Sequence, residues 1–165
     1  MKKVLFFIFL LCSCSRNKID SDLIIKNFDL NRYLGKWYEV ARYDNWFEKN
    51  LIDVTAEYSL LENGKVKIVN KGYDVKNKKY KDVSGVGYLP IKDVGHLRIS
   101  FFRPFYSDYN IIFLDKEYEY AVVTGGNYKY LWLLSRSPTI SEKLYQELLV
   151  KVESVGFDAE KIMKN

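Results

Sequence analysis

The sequence predicts an all-β domain. Eight antiparallel strands in up-and-down order close into a barrel, with one C-terminal α-helix packed on the outside. Three observations carry this expectation. From Gly35 onward, apolar and polar residues alternate in runs, broken by turn signals about every ten to twelve residues, as in a barrel or sandwich. The connections between runs are shorter than the crossovers that parallel neighbours need. After the last run, the segment 140–155 switches to spacings of three and four, the pattern of an amphipathic helix.

The first strand covers about 35–44 and opens on Gly35-Lys36-Trp37-Tyr38. The second sets Val54, Ala56, Tyr58 and Leu60 against Asp53, Thr55, Glu57 and Ser59, and this period of two means one wet face. Glu62-Asn63-Gly64 is a tight-turn signal, because Asn and Gly tolerate positive φ. The third strand places Val66 and Ile68 opposite Lys65 and Lys67, and a polar loop covers 73–79. The fourth runs over about 80–89, where Gly85 and Gly87 mark a bend in the wall. The fifth alternates Leu97, Ile99 and Phe101 with Arg98 and Ser100, ahead of an aromatic-rich loop at 103–108. The sixth spans 109–114, the seventh 118–124 after Asp115-Lys116-Glu117, and the eighth 128–135 after Gly125-Gly126-Asn127.

Residues 111–114 and 131–134 are apolar on both faces, so the outer wall there needs a cover. The helix supplies it with Leu144, Leu148, Val152 and Val155, between Ser141 as N-cap and Gly156 as stop. Eight strands leave no exposed edge and an interior for one small ligand.

Alternating strand direction puts Trp37 and Arg136 together at one end, the base. A guanidinium over an indole there is a cation–π contact worth about 2 kcal/mol when desolvated. The loops near 45–52, 73–79, 103–108 and 125–128 then ring the open end. Tyr130, Trp132 and Leu134 share a face with Arg136 and are expected to point inward. Leu97, Ile99 and Phe101 join them, with Val54, Ala56, Tyr58 and Leu60 from the second strand. Tyr106 is expected at the mouth. An apolar lining with a few hydroxyls suits an acyl chain whose head stays near the rim.

Composition bounds the alternatives. The 165 residues fit one domain, and 48% hydrophobic content supplies a core. The net charge of +5 is small and scattered, which argues against nucleic acid. The densest basic stretch, 76–81, reads as a solvated loop. The single histidine, His96, falls in an expected base turn, so neither a zinc cluster nor a histidine triad is expected. No metal and no cofactor are called for. An acid–base site would have to use Glu39 or a tyrosine, so no catalytic residue is assigned. The oligomeric state stays open between monomer and homodimer.

Met1-Lys2-Lys3 followed by an apolar run from Val4 to Leu11 reads as a secretory leader, too short to span a bilayer. Leu11-Cys12-Ser13-Cys14 resembles the lipobox of bacterial lipoproteins. The resemblance implies cleavage before Cys14 and acylation of that residue, which makes Cys14 the lipid anchor. Ser15 rather than Asp after the cysteine implies the outer membrane, with the domain on its periplasmic face. The organisation expected is a signal peptide at 1–13, a lipidated N-terminus and tether at 14–26, and the folded domain at 27–165.

The ordered set of motifs resembles the lipocalins, among them the Blc-type bacterial outer-membrane members and those like apolipoprotein D. It comprises Gly35-x-Trp37-Tyr38, the turn at Asp115, and Leu131-Trp132-Leu133-Leu134-Ser135-Arg136, with Pro104-Phe105-Tyr106 and Gly156-Phe157-Asp158 in place. Where many lipocalins have Thr-Asp-Tyr, this chain has Leu114-Asp115 and then Tyr118. The resemblance implies that Gly35, Trp37, Asp115 and Arg136 are structural signature residues. It also implies binding of fatty acids or (lyso)phospholipids for envelope lipid maintenance or transport. The ligand contacts expected are Trp132, Tyr106, Tyr130, Phe101, Tyr58 and Ile99. The alternatives are a non-binding envelope module and a lipid-modifying enzyme.

Overall fold

A computed structural model describes residues 18–165; the leader and Cys14 lie outside the described residues. Eight strands run in order: β1 (Gly35–Tyr43), β2 (Leu51–Leu60), β3 (Val66–Asp74), β4 (Lys79–Tyr88), β5 (His96–Phe102), β6 (Phe105–Leu114), β7 (Tyr120–Thr124) and β8 (Leu131–Ser135). Each pairs antiparallel with the next, and β8 returns to β1. Trp37 opposite Ala56 and Gly35 opposite Tyr58 close β1 onto β2, so the sheet is a barrel.

Three elements were not expected from the sequence. A short helix, α1 (Leu30–Tyr33), caps the base, started by Asp29 accepting from Asn31 N at 2.9 Å. A three-residue strand, β9 (Ile162–Lys164), pairs with the upper half of β1 at 41–43, where β1 has parted from β2. An N-terminal segment runs down the outside. Ile19 N donates to Gly126 O (3.3 Å) and Ile25 N to Ile111 O (3.0 Å), and Lys26 bridges to Val94 near the base.

The barrel has an inner and an outer core. Inside pack Trp37, Tyr58, Val66, Ile68, Leu97, Ile99, Ile111, Val123 and Leu134, over Phe28 and Tyr33 from below. Outside, Val122, Leu131 and Leu133 meet Tyr145, Leu148 and Val152 of helix α2 (Glu142–Ser154). Ser141 caps α2 by accepting from Leu144 N at 3.2 Å. The doubly apolar strands therefore have two partners, the inner core and the helix.

Some boundaries differ from expectation. β6 begins at Phe105, so residues 103–104 make a tight connection rather than a loop to 108. β8 begins at Leu131, which leaves Tyr130 in the preceding loop, and β7 begins at Tyr120 rather than Tyr118. Leu60, the last residue of β2, is half exposed rather than inside. His96 is no base-turn residue: it opens β5, its Nε2 lying 3.1 Å from Asp108 Oδ1.

Candidate functional site

The base is sealed first. Gly35 takes φ 93°, a conformation that costs glycine nothing, and a Cβ there would meet Arg136 Nη1 at 3.4 Å. The Arg136 guanidinium lies over Trp37, 3.9 Å from the ring centroid. It donates to three carbonyls: Tyr118 (3.2 Å), Lys36 (2.9 Å) and Arg32 (2.8 Å). Asp115 holds the β6–β7 turn that presents Tyr118, accepting from Glu119 N (2.7 Å) and Tyr120 N (2.6 Å). Tyr118 Oη in turn accepts from Asp29 N at 2.9 Å, and Arg32 stacks 4.1 Å over its ring. The four signature residues thus build one latch across α1, β1 and the β6–β7 turn.

Above Trp37 lie three phenols. Tyr109 Oη is 2.6 Å from Tyr33 Oη and 2.8 Å from Tyr58 Oη. Burial pushes the pKa of all three upward, so they stay neutral and hydrogen-bonded. Trp37 Nε1 donates to Tyr33 O at 2.8 Å. Two hydrogen bonds join the three hydroxyls, and the layer makes a floor of aromatic rings.

The walls follow from strand register. Ile99 faces inward opposite Gly87 and Ser107, and Ile68 lies opposite Gly85. Phe101 covers Gly85 so closely that a Cβ there would sit 2.7 Å from the ring. Toward the mouth the inward positions become accessible: Ile99 is 7% exposed, Phe101 41% and Val83 47%. Above Val86, β4 no longer pairs with β5, and Phe101 and Val83 line the gap where the two strands part. Two surface grooves lie elsewhere. One of about 500 Å³ runs beside Tyr43, Tyr128 and Phe157, and one of about 670 Å³ beside Asn27, Leu89 and Lys92.

Trp132 stands partway up β8, opposite Arg42 and Val123. Its ring stacks parallel to Tyr130 at 6.1 Å, and Phe47 tilts over both at 6.4 and 5.9 Å. Trp132 Nε1 donates to Glu48 Oε2 at 3.0 Å. Behind this aromatic group lies a buried polar cluster that sequence reasoning largely missed. A register shift between Glu39 and Ala41 puts both Glu39 and Arg42 on the inner face, where they pair at 2.6 Å. Arg42 also donates to the carbonyls of Glu48 (3.3 Å) and Leu51 (3.2 Å) across the β1–β2 parting, and to Asn165 Oδ1 (2.8 Å). Asn165 Nδ2 donates to Glu39 Oε1 at 2.7 Å, and Asn45 holds Glu48 by a short hydrogen bond. Burial, and the nearby Glu48 carboxylate, raise Glu39 to about 7, against the pull of Arg42 and Asn165.

Five of the six residues expected to touch ligand thus face the interior or its rim: Tyr58 in the floor, Ile99 and Phe101 on one wall, Trp132 and Tyr130 on the other. Tyr106 does not. It sits on β6 two places before Asp108, whose partner Arg98 is on the outer face, and it packs against Tyr88 at 5.5 Å. The early start of β6 is the cause, since Ser107, Tyr109 and Ile111 take the inward positions and leave 106 outside. Phe47, Glu48 and Arg42 join the interior instead. The one sequence signal for them was a pair of charges, Glu39 and Arg42, inside an otherwise apolar strand. Among the described residues no cluster of His, Cys, Asp and Glu could hold a metal.

A latched aromatic base, an apolar wall and an open rim define a calyx, a cup-shaped β-barrel that encloses small molecules. Residues 28–165 match the lipocalin-like domain family, and the chain belongs to the lipocalins. It is 45% identical over 143 residues to the outer membrane lipoprotein Blc of Escherichia coli K12, covering 85% of this chain and 80% of that one. Its counterpart in Citrobacter freundii is 41% identical over 157 residues, 94% of this chain and 89% of that one. Among solved structures, insecticyanin of the tobacco hornworm Manduca sexta superposes with a TM-score of 0.69 at 20% identity, over 86% of this chain and 82% of that one.

Proposed function

We propose that this lipocalin binds a fatty acid or (lyso)phospholipid in its barrel and stores or carries it for the outer membrane, to which Cys14 tethers it. The observation that carries the reading is the gradient of exposure along one inner wall, from buried Ile99 to accessible Phe101 and Val83 above a sealed base. A slot of that kind takes an acyl chain tail first. Burying a 16-carbon chain yields a gross ~12 kcal/mol at about 0.8 kcal/mol per methylene. Ordering costs reduce this to micromolar or nanomolar affinity. Arg42, whose Nε has no hydrogen-bond partner, leaves one donor beside Trp132 for a head group.

The outer-membrane setting draws on two supports: the Leu11-Cys12-Ser13-Cys14 motif and the relatives named outer membrane lipoprotein. Acyl chains on Cys14 would hold the domain beside its lipid source, facing the periplasm. No residue is assigned a catalytic role. Glu39, a carboxyl raised to about 7, is engaged by Arg42 and Asn165 rather than open to a substrate.

The test is to extract the purified protein and identify what it carries by mass spectrometry. One acyl lipid per chain is expected. Protein that emerges empty and stays empty after incubation with palmitate and lysophosphatidylethanolamine would contradict the reading.

A further inference from the structure

We propose that the mouth of the barrel docks directly on an anionic phospholipid bilayer, so that lipid enters from the membrane without crossing water. The inference rests on the lipid-binding reading above for its purpose. Its geometry stands on three observations.

The first is apolar exposure at one rim. Trp46 is 81% exposed and Phe47 46% in the β1–β2 loop, and Phe102 is 82% and Phe105 73% at the β5–β6 connection. Four aromatic rings on two mouth loops are costly in water and suited to the headgroup region of a bilayer.

The second is charge. The four mouth connections (44–50, 75–78, 103–104 and 125–130) carry five cations, Lys49, Lys76, Lys78, Arg103 and Lys129. They hold two carboxylates, of which Glu48 is buried. The three base connections (61–65, 89–95 and 115–119) reverse the balance, with three lysines and five carboxylates. Lys26, Arg32, Lys36 and Arg136, set against Asp29, bring the base as a whole close to neutral, so a negative surface attracts the mouth more strongly than the base.

The third is where the N-terminal segment lies. Ile19 is hydrogen-bonded to Gly126 in the β7–β8 connection, at the mouth end, before the chain descends to Lys26 at the base. Cys14 precedes Lys18 by only four residues. At about 3.6 Å per residue that reaches no more than ~15 Å. An anchor at Cys14 thus holds the aromatic rim, not the base, toward the membrane.

The full chain reconstituted into vesicles with brominated acyl chains tests this, with tryptophan fluorescence as the readout. In a Trp132→Phe background Trp46 reports the rim, because Trp37 is fully buried. A Trp46→Phe, Trp132→Phe, Tyr88→Trp variant reports the base. In phosphatidylglycerol vesicles at low salt, Trp46 emission should fall at least two-fold while the base reporter stays unquenched. Phosphatidylcholine vesicles, or Lys76→Glu with Lys78→Glu, should reduce the rim quenching at least two-fold. Quenching of the base as strong as the rim would overturn the proposal, as would rim quenching indifferent to lipid charge and to both substitutions. Native mass spectrometry of the wild-type chain with palmitate reports the barrel separately. Occupancy without rim quenching overturns the docking alone; rim quenching without occupancy overturns the lipid-binding reading alone.

Discussion

Arg136 and Trp37 meet face to face at the base of the barrel, guanidinium 3.9 Å from indole, and the same guanidinium bonds three carbonyls from three separate elements. The contact joins the start of the first strand to the end of the last. Arg136→Met removes the cation and strands those carbonyls, which should cost about 2–4 kcal/mol. At 2–4 °C per kcal/mol for a domain of this size, the melting temperature should drop by about 5–15 °C. Arg136→Lys should recover little, because one ammonium cannot replace a planar fork. Thermal unfolding of the two variants checks this.

Glu39 gives a pH dependence of known sign. Its folded value near 7 lies above the ordinary carboxyl range, because burial and Glu48 disfavour the charge. The folded state therefore holds a proton that the unfolded chain has lost. Its contribution to stability is full below about pH 4.5 and is lost as pH rises through about 7. Glu39→Gln cannot titrate, so the variant should gain on the wild type by up to about 3 kcal/mol between pH 4.5 and 8. Denaturant melts across that range measure the difference, and a constant offset would contradict the assignment.

Trp132 and Tyr106 separate the inside of the wall from the outside. Trp132 stacks on Tyr130 in the interior, and Tyr106 packs on Tyr88 outside. Trp132→Ala should weaken acyl-lipid binding about 10- to 100-fold, the loss of one large apolar contact. Tyr106→Ala should leave affinity within about two-fold. Isothermal titration of both variants with palmitate decides the matter.

Leu148 tests the role of the helix. It is 1% exposed, wedged between α2 and the outer faces of β7 and β8. Leu148→Ala should cost about 2–5 kcal/mol by leaving a cavity. Lipid affinity should not change, because the site lies across the wall. Unfolding and titration of the same sample measure both.

The strands were legible because one face of most of them is wet, and alternation then marks register. The helix was legible for the complementary reason: 111–114 and 131–134 had no polar face to give to water. Trp37 and Arg136 could be paired from strand direction alone. Tyr106 could not be placed, since its orientation turns on whether β6 starts at residue 105 or 109, and the aromatic run 101–109 has no clean period. β9 has three residues and pairs only because β1 parts from β2, a tertiary event without local signature. Arg42 and Glu48 belong to the interior through a register shift and a loop fold, neither of which composition reveals.

The most direct test of a ligand-enclosing cup is titration of delipidated protein with palmitate and with a lysophospholipid, read by Trp132 fluorescence against the Trp132→Phe variant. The structure calls for a saturable change at one ligand per chain, in the micromolar range or tighter, that vanishes with Trp132. No saturable change with either lipid, in protein shown to be folded, would contradict it.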